Sequence, residues 1–323
     1  MFYPLTFQPI FQQRVWGGRR LQALYGKSLP PGVPIGESWE ITDRPGATSV
    51  VSNGPWAGRD LHWLMQQHGK AVLGAAHDHN GRFPLLVKII DAREILSVQV
   101  HPPASRAAAL GGEPKTELWF FTESDPEAAV YAGLKAGVTR AEFERKLANG
   151  SVAECLHQLK VKAGDALFLP AGRLHALGRG VVLFEIQQNS DTTYRVFDWN
   201  RLGLDGRPRQ LHISEALASI DFNDFEPACI SSAAVESEGR SERTLVDAPC
   251  FRVSACRLKA GATHDLTLER ALVIGVVDGL LEVGRQPDTV NLSRGQFCLL
   301  PAALGRTHIS AKTDSEYLLA QPV

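Results

Sequence analysis

Residues 97–102, SVQVHP, hold the side chains best suited to chemistry. Side chains alternate between the two faces of a β-strand, so a strand here would place Gln99 and His101 on one face and Val98 and Val100 on the other. An amide oxygen and an imidazole nitrogen on the same inner face could both bind a metal ion. A hydrogen-bonded polar pair without a metal is the alternative interpretation of this pattern taken alone.

Two further stretches offer ligands for the same ion. In PKTELWFF, residues 114–121, Glu117 precedes an apolar run, and Lys115 comes two positions earlier. Alone, such a Lys–Glu spacing usually marks a solvated pair. In LPAGRLHAL, residues 169–177, a turn leads to His175, which a hairpin could return to the inner face, although a lone His is more often a core or surface residue. The four candidate ligands are Gln99, His101, Glu117 and His175. This two-nitrogen, two-oxygen set suits Zn²⁺, and such sites also accept Fe²⁺, Mn²⁺ or Co²⁺.

A third cluster follows an apolar run within residues 184–201, FEIQQNSDTTYRVFDWNR. Its charged residues are Glu185, Asp191, Arg195, Asp198 and Arg201. The residues alone allow either a salt-bridged turn or part of a functional site.

Several short apolar runs, bounded by Gly, Pro and Asp, would position these side chains on antiparallel strands. They are PLLVKII from residue 84, ILSVQVH from 95, LWFFTE from 118 and VVLFEIQQ from 181. Helical patterns lie between them, at residues 56–69 with Asp60 as N-cap, and at residues 139–159 as one or two helices. Thr139 would cap the first of these, and the Asn-Gly pair at residues 149–150 would end it.

A weak internal repeat indicates the architecture. GDALFLPAGRLHAL begins at residue 164 and GQFCLLPAALGRTHI at residue 295, and both run from an apolar strand through a Pro turn to a His. The repeat predicts a mainly β double cupin, two jelly-roll barrels with a small helical layer. The predicted domains are residues 1–235, the catalytic cupin with its helical segment at about 139–159, and residues 236–323, a second barrel. The second copy has only His308 nearby, which predicts a structural role for it, and residues 231–241 have the composition of a linker.

Composition excludes several classes of function. The 323 residues carry a net charge of -1 with no basic run, so we expect no nucleic-acid or membrane partner. No apolar stretch reaches the roughly 18 residues of a membrane span. The start of the chain lacks the features of a secretory signal. The five Cys residues are scattered and include no CxxC pair, which favours a reducing compartment and predicts a cytoplasmic protein.

Five sequence blocks together resemble the type I phosphomannose isomerases, most closely the short bacterial form without a large helical insertion. The blocks are GESWEIT at residues 36–42, residues 83–102, KTELW at 115–119, LPAGRLHAL, and SDTTYR at 190–195. They occur in order between Arg14 and about His212, whereas the C-terminal part matches mainly in its hairpin. This combination of motifs is far more specific than any one of them.

The resemblance implies an aldose–ketose isomerase of mannose 6-phosphate and fructose 6-phosphate, with one Zn²⁺ per chain bound by Gln99, His101, Glu117 and His175. It further implies the following roles: Lys115 as the active-site lysine, Arg195 as the arginine beside the reacting carbons, Ser97 and Lys88 as substrate-binding residues, and Glu185 and Asp191 as carboxylates for proton transfer. The chain departs from longer members in having Lys-Thr-Glu for Lys-Pro-Glu, and RVFDWNR at residues 195–201 in place of a phosphate-side run.

Three alternatives remain open at the level of sequence. The proton-transfer base could be Glu185, Asp191, Lys115 or a zinc-bound water. A metal-dependent cupin dioxygenase would use the same barrel, with a three-His-one-Glu or facial-triad site and no need for Lys115 or Arg195. A non-catalytic sugar-binding cupin would keep the barrel but would be expected to lose a ligand or Arg195.

Overall fold

The computed structural model describes residues 2–323 and consists mainly of antiparallel β-sheets. The elements up to residue 219 are, in chain order, β1 (Ile10–Gly18), α1 (Arg20–Tyr25), β2 (Ile35–Ile41), β3 (Asp43–Arg44), β4 (Ala47–Thr48), a 3₁₀ turn (Gly54–Trp56), α2 (Leu61–Leu73), β5 (Leu85–Ala92), β6 (Val98–Val100), α3 (Ala104–Ala107), a 3₁₀ turn (Ala108–Leu110), β7 (Glu117–Ser124), β8 (Ala129–Leu134), α4 (Arg140–Ala148), a 3₁₀ turn (Val152–Cys155), β9 (Leu156–Lys160), β10 (Ala166–Leu169), β11 (His175–Ala176), β12 (Val181–Gln188), β13 (Tyr194–Phe197) and α5 (Ile213–Ser219).

The remaining elements are, with one exception, strands. They are β14 (Val235–Ser237), β15 (Arg240–Asp247), β16 (Phe251–Leu258), β17 (Thr263–Thr267), β18 (Leu272–Asp278), β19 (Leu280–Arg285), β20 (Asp288–Ser293), β21 (Phe297–Leu300), a 3₁₀ turn (Ala302–Leu304), β22 (Arg306–Ala311) and β23 (Ser315–Pro322).

Four open sheets form two stacked pairs. The first pair joins a six-stranded sheet, in the order β1-β2-β5-β12-β7-β10, to a five-stranded sheet, β13-β6-β11-β8-β9. The second pair joins a six-stranded sheet, β14-β15-β16-β23-β18-β21, to a four-stranded sheet, β17-β22-β19-β20. The two predicted repeat copies supply β10 and β21, which occupy the same edge position in their respective six-stranded sheets.

Strand periodicity explains how the layers pack. On β5, Leu85, Val87 and Ile89 face the second pair of sheets, whereas Ile90 faces the interior of the first. The apolar layer between the two six-stranded sheets includes Phe184 and Phe297, whose ring centroids are 4.9 Å apart. Burying a side chain of this size contributes about 1.5–3 kcal/mol, so this layer holds the two halves of the chain together.

The predicted alternation on β6 is confirmed. Val98 and Val100 pack on the outer side of the five-stranded sheet, in one apolar cluster with Phe143 of α4 and Ala216 of α5. Gln99 therefore faces the interior of the first pair, where it lines a cavity.

Two predicted helix starts are confirmed by their caps. The Asp60 side chain accepts a hydrogen bond from the Trp63 amide at the start of α2, and Thr139 accepts one from the Glu142 amide at the start of α4. The predicted continuation to residue 159 is wrong, because residues 156–160 form β9, which pairs with β8. After Gly150 only a short segment remains, too short to stabilise a helix alone, whereas the edge of β8 satisfies its backbone groups.

Only the first four residues of the predicted linker, residues 231–241, lie outside regular secondary structure and turns. Val235–Ser237 forms β14, an exposed edge strand that pairs with β15. The domain boundary predicted after residue 235 therefore falls within an edge hairpin. All five cysteines are free thiols, three of them buried. No helix within residues 2–323 is long and apolar enough to cross a membrane.

Candidate active site

Three buried side chains converge in the interior of the first pair of sheets. His101 directly follows β6, Glu117 begins β7 on the opposite sheet, and His175 begins β11, where it pairs with Gln99. One potential ligand atom from each of His101, Glu117 and His175 lies within 4.8 Å of the others. Strands distant in sequence thus bring together three of the four predicted ligands.

Backbone carbonyls orient both imidazoles. Nδ1 of His101 lies 2.8 Å from the Thr192 carbonyl oxygen, and Nδ1 of His175 lies 2.9 Å from the Arg173 carbonyl oxygen. A carbonyl only accepts hydrogen bonds, so Nδ1 carries the proton in each ring and Nε2 is left with its lone pair. The Nε2 atoms of His101 and His175 lie 3.3 Å and 3.7 Å from oxygens of Glu117.

Burial keeps the two imidazoles neutral. It lowers the pKa of His101 to about 4, with a further contribution from the nearby Lys115 ammonium. Burial likewise lowers the pKa of His175. Both rings are therefore in the form that binds metal ions at neutral pH.

Glu117 has the surroundings of a metal ligand. Its side chain is fully buried, and within residues 2–323 neither carboxylate oxygen accepts a hydrogen bond of good geometry. The Lys115 ammonium lies 2.5 Å from Oε1. Burial opposes ionisation, but the Lys115 ammonium holds the pKa of Glu117 well below its usual value. A buried, ionised carboxylate with free acceptor capacity, facing two Nε2 lone pairs, fits a divalent cation.

Gln99 lies at the edge of this cluster. Its amide nitrogen is 3.4 Å from Nε2 of His175, and its backbone pairs with His175 on one side and Arg195 on the other. Gln99 contacts the cluster and also lines a cavity, so the candidate metal ligands lie next to this cavity.

That cavity has a volume of about 560 Å³, and nine of the 21 residues that line it are charged. Seven of the ten predicted site residues line it: Lys88, Ser97, Gln99, Lys115, Glu185, Asp191 and Arg195. The other three are the clustered His101, Glu117 and His175. The structure therefore brings all ten to one place.

One side of the cavity is a chain of alternating charges on β1, β2, β5 and β12. Lys88 Nζ lies 3.0 Å from Glu185 Oε1 and 4.0 Å from Glu37 Oε2, and Arg14 Nε lies 2.8 Å from Glu37 Oε1. Burial would lower the pKa of Lys88, but Glu185 and Glu37 raise it. Burial would raise the pKa of Glu37, but Lys88 and Arg14 lower it to about 2. Lys88 and Glu37 are therefore both charged at neutral pH.

Arg14 and Glu37 were missed by the sequence interpretation. Glu37 lies in the GESWEIT block, in a strand whose seven residues are all buried, and an acidic residue in such a strand is the signal that could have identified it. Arg14 carries no comparable signal, because only its contact with Glu37 places it at the cavity.

Arg195 is free of acidic partners. Its Nη1 donates to the Gln210 carbonyl oxygen at 2.8 Å, and within residues 2–323 it forms no ion pair. Burial lowers its pKa, and the neighbouring Arg209 guanidinium contributes in the same direction. The nearby Asp198 instead pairs with Arg201 at 2.8 Å and Arg209 at 2.5 Å. Asp198 and Arg201 therefore form a salt bridge of the kind that the sequence allowed, whereas Arg195 takes no part in it and its charge is available to the cavity.

Comparison with known proteins identifies the family. Residues 5–130 match the family model of phosphomannose isomerase type I, catalytic domain. The mannose-6-phosphate isomerase of Streptococcus mutans is 34% identical over 302 residues, 93% of each chain. The mannose-6-phosphate isomerase ManA of Bacillus subtilis is 34% identical over 305 residues, 94% of each chain. This chain belongs to the type I phosphomannose isomerase family.

Solved structures agree with this relationship. The crystal structure of mannose 6-phosphate isomerase from Bacillus subtilis matches with a TM-score of 0.90 and 30% identity over 99% of each chain. The apo form of mannose 6-phosphate isomerase from Salmonella typhimurium matches with a TM-score of 0.75 over 100% of each chain, at 19% identity. The second match shows a shared fold.

The phosphomannose isomerase family model covers only part of the candidate site. Its range, residues 5–130, includes Lys88, Ser97, Gln99, His101, Lys115 and Glu117. His175, Glu185, Asp191 and Arg195 lie beyond it and reach the cavity through β11, β12 and β13. Pairing of these strands with β5, β6 and β7 completes the site.

Proposed function

We propose that this type I phosphomannose isomerase interconverts mannose 6-phosphate and fructose 6-phosphate. The observation that carries the proposal is the buried cluster of His101, Glu117 and His175 beside a charged cavity, in a chain related over almost its whole length to mannose-6-phosphate isomerases. Moving a proton between C1 and C2 through an enediol needs a base near the carbons and positive charge near the oxygens.

The residues fit one divalent ion per chain, which we propose to be Zn²⁺. Gln99, His101, Glu117 and His175 would hold it. The buried Glu117 carboxylate, which accepts no hydrogen bond of good geometry within residues 2–323, and the Nδ1 hydrogen bonds that leave both Nε2 atoms as acceptors support this ligand set. When bound, such an ion supplies positive charge that polarises sugar oxygens.

Lys115 and Arg195 are the proposed cationic residues that contact the sugar oxygens. The Lys115 ammonium lies between the metal-ligand cluster and the cavity, 3.3 Å from Nε2 of His101. Arg195 keeps an uncompensated guanidinium at the cavity wall. Positive charge fixed in place before the reaction stabilises an enediol oxyanion without reorganisation.

Asp191 is our preferred base over Glu185. Both Glu185 oxygens accept hydrogen bonds, from Lys88 at 3.0 Å and from the Trp119 indole at 2.9 Å. The Asp191 carboxylate lines the cavity, is exposed, and accepts no hydrogen bond from another residue in the range 2–323. A carboxylate without existing donors can take a proton without breaking a contact. Glu185 would then hold Lys88 in position, and Lys88 and Ser97 would contact substrate.

We also propose that the two stacked sheet pairs are the two jelly rolls of a double cupin, residues 1–235 and 236–323. The equivalent positions of β10 and β21 support this assignment. Five unpaired thiols fit a reducing compartment, which supports a cytoplasmic location.

A coupled assay with mannose 6-phosphate tests the function directly. Zn²⁺-loaded protein should produce fructose 6-phosphate, and chelation should abolish the activity. An oxygen electrode run in parallel should register no substrate-dependent consumption, which separates the isomerase from a cupin dioxygenase. Absence of turnover by protein with full metal content would contradict the proposal.

A further inference from the structure

The connection between β12 and β13 controls one candidate metal ligand through its backbone. Residues 189–193 form this connection, and its Thr192 carbonyl accepts the Nδ1 proton of His101 at 2.8 Å. If this carbonyl shifted, His101 would lose the hydrogen bond that fixes the proton on Nδ1 and the orientation of the ring. The support of residues 189–193 therefore matters for the metal site.

Glu113 fixes this connection from one side. Its amide donates to Thr192 Oγ1 at 3.0 Å, and its carbonyl accepts from Ser190 Oγ at 3.4 Å. Glu113 also lies only four residues before Glu117, so the segment that holds Thr192 continues directly into the strand that carries the carboxylate.

Arg44, in the small β3–β4 hairpin, fixes the connection from the other side. Its Nη1 donates to the Asn189 carbonyl at 2.8 Å and lies 2.7 Å from Glu113 Oε2. One guanidinium therefore joins both ends of the support, at residues 113 and 189. The side chains of Arg44 and Glu113 are 18% and 34% exposed, so they lie outside the buried cluster.

We propose that Arg44 and Glu113 form a positioning pair that holds the Thr192 carbonyl against His101 and thereby raises the affinity for the metal ion. The inference rests on the metal site of the proposed function. Neither residue is among the predicted ligands or lines the cavity. Their effect passes through Thr192 and the imidazole it orients.

The test measures Zn²⁺ affinity by competition with a chromophoric chelator, together with the thermal midpoint of the metal-free protein. Glu113→Gln and Arg44→Met should each weaken Zn²⁺ binding about tenfold, the lower end of the effect of outer-shell partners. The double variant should be no weaker than either single one, because the two residues act as a unit. Metal-free midpoints should stay within about 2 °C, since a partly exposed ion pair contributes little to stability.

Two further variants sharpen the result. Thr192→Val keeps the carbonyl but loses the hydrogen bond from the Glu113 amide, so it should weaken Zn²⁺ binding by a similar factor. Glu144→Gln breaks the exposed Arg140–Glu144 pair, which has the same 2.7 Å separation, and should change neither quantity.

The possible outcomes distinguish the positioning role of Arg44 and Glu113 from the existence of the metal site. Zn²⁺ affinities within twofold of the unaltered protein in all three site variants would overturn the positioning role and leave the metal site intact. A fall in the metal-free midpoint large enough to account for the weaker binding would also overturn it. Failure of the unaltered protein to bind Zn²⁺ would overturn both proposals.

Discussion

The two stacked sheet pairs share a strand order but bury different chemistry. The interior of the first pair holds charged groups, including Lys88, Glu117 and Glu185. The interior of the second pair is an apolar cluster that includes Ile274 and Ile309. Similar frameworks thus enclose a cavity with charged side chains in one half and a hydrophobic core in the other.

The repeated hairpin shows how the difference arises. In the first copy His175 faces inward, where it meets His101 and Glu117. In the second copy β22 turns Thr307 and Ile309 inward, and His308 between them is only partly buried. Side chains alternate between the two faces of a strand, so His308 falls on the opposite face from the buried Thr307 and Ile309.

Energetics explain why the charged interior must be paired. Removing one partner of a buried ion pair typically costs about 3–5 kcal/mol, whereas an apolar interior is stabilised without partners. The first pair meets this requirement with the chain Arg14–Glu37–Lys88–Glu185. We infer that the second pair supports the fold while the first carries the chemistry.

The largest expected effect comes from removing an interior imidazole of the first pair. His101→Ala and His175→Ala should each lower Zn²⁺ affinity by more than about 10²-fold, because loss of a ligand exceeds the effect of an outer partner. Isomerase activity should be lost with the metal. Elemental analysis and the coupled assay check both quantities.

His264 is the matched control in the second interior, where Nδ1 lies 2.8 Å from the Tyr317 hydroxyl. His264→Gln should keep metal content and turnover of the folded protein. Full metal content in both His101→Ala and His175→Ala would contradict the assignment of the metal to the first pair.

A smaller effect is expected from the uncompensated guanidinium of the first pair. Arg195→Ala should lower kcat about 10²-fold with little change in KM, as for loss of one oxyanion-stabilising donor. The thermal midpoint and zinc content of the variant should stay close to normal, because the substitution leaves no acidic side chain without a partner. Arg195→Lys should recover little, since an ammonium cannot span two oxygens.

Arg257→Ala provides the control in the second pair, where Arg257 forms an exposed contact with Glu316. It should leave kcat, KM and zinc content unchanged. Near-normal turnover of Arg195→Ala would exclude a catalytic role for Arg195.

The last prediction concerns stability against acid. The pKa of Glu37 in the folded protein is about 2, below its ordinary value of 4.5, so its contribution is fully present above pH 4.5 and lost as the pH falls toward 2. The shift corresponds to roughly 3 kcal/mol. The unfolding free energy of the unaltered protein should exceed that of Glu37→Gln by about this amount at pH 6, and the difference should vanish near pH 2.

Denaturant titrations between pH 2 and pH 6 measure this difference. Glu316→Gln in the second pair should show only a small difference, because its contact with the exposed Arg257 contributes little. A constant difference for Glu37→Gln across the range would show that the paired interior does not account for the acid sensitivity.

Local patterns in the sequence were sufficient for the four predicted strands, which became β5, β6, β7 and β12, and for two helix caps. The alternation on β6 depends only on strand geometry, so it correctly separated Gln99 from Val98 and Val100. Asp60 and Thr139 were recognised because an N-cap side chain bonds to an amide two or three residues away. The candidate ligands were recognisable because metal-binding side chains are a small set of residue types.

Contacts between segments distant in sequence decided the features that local patterns did not predict. The segment after Gly150 became β9 because the edge of β8 was available to it, a fact absent from residues 151–160 themselves. Arg14 is held at the cavity by its ion pair with Glu37. Arg195 has no acidic partner within residues 2–323, because Asp198 pairs with Arg201 and Arg209 instead. The carbonyls that orient His101 and His175 belong to the backbone, which any residue supplies, so no side-chain pattern marks them. Sequence fixes the periodicity and the residue types, whereas the pairing of charges and donors depends on which strands the tertiary fold places side by side.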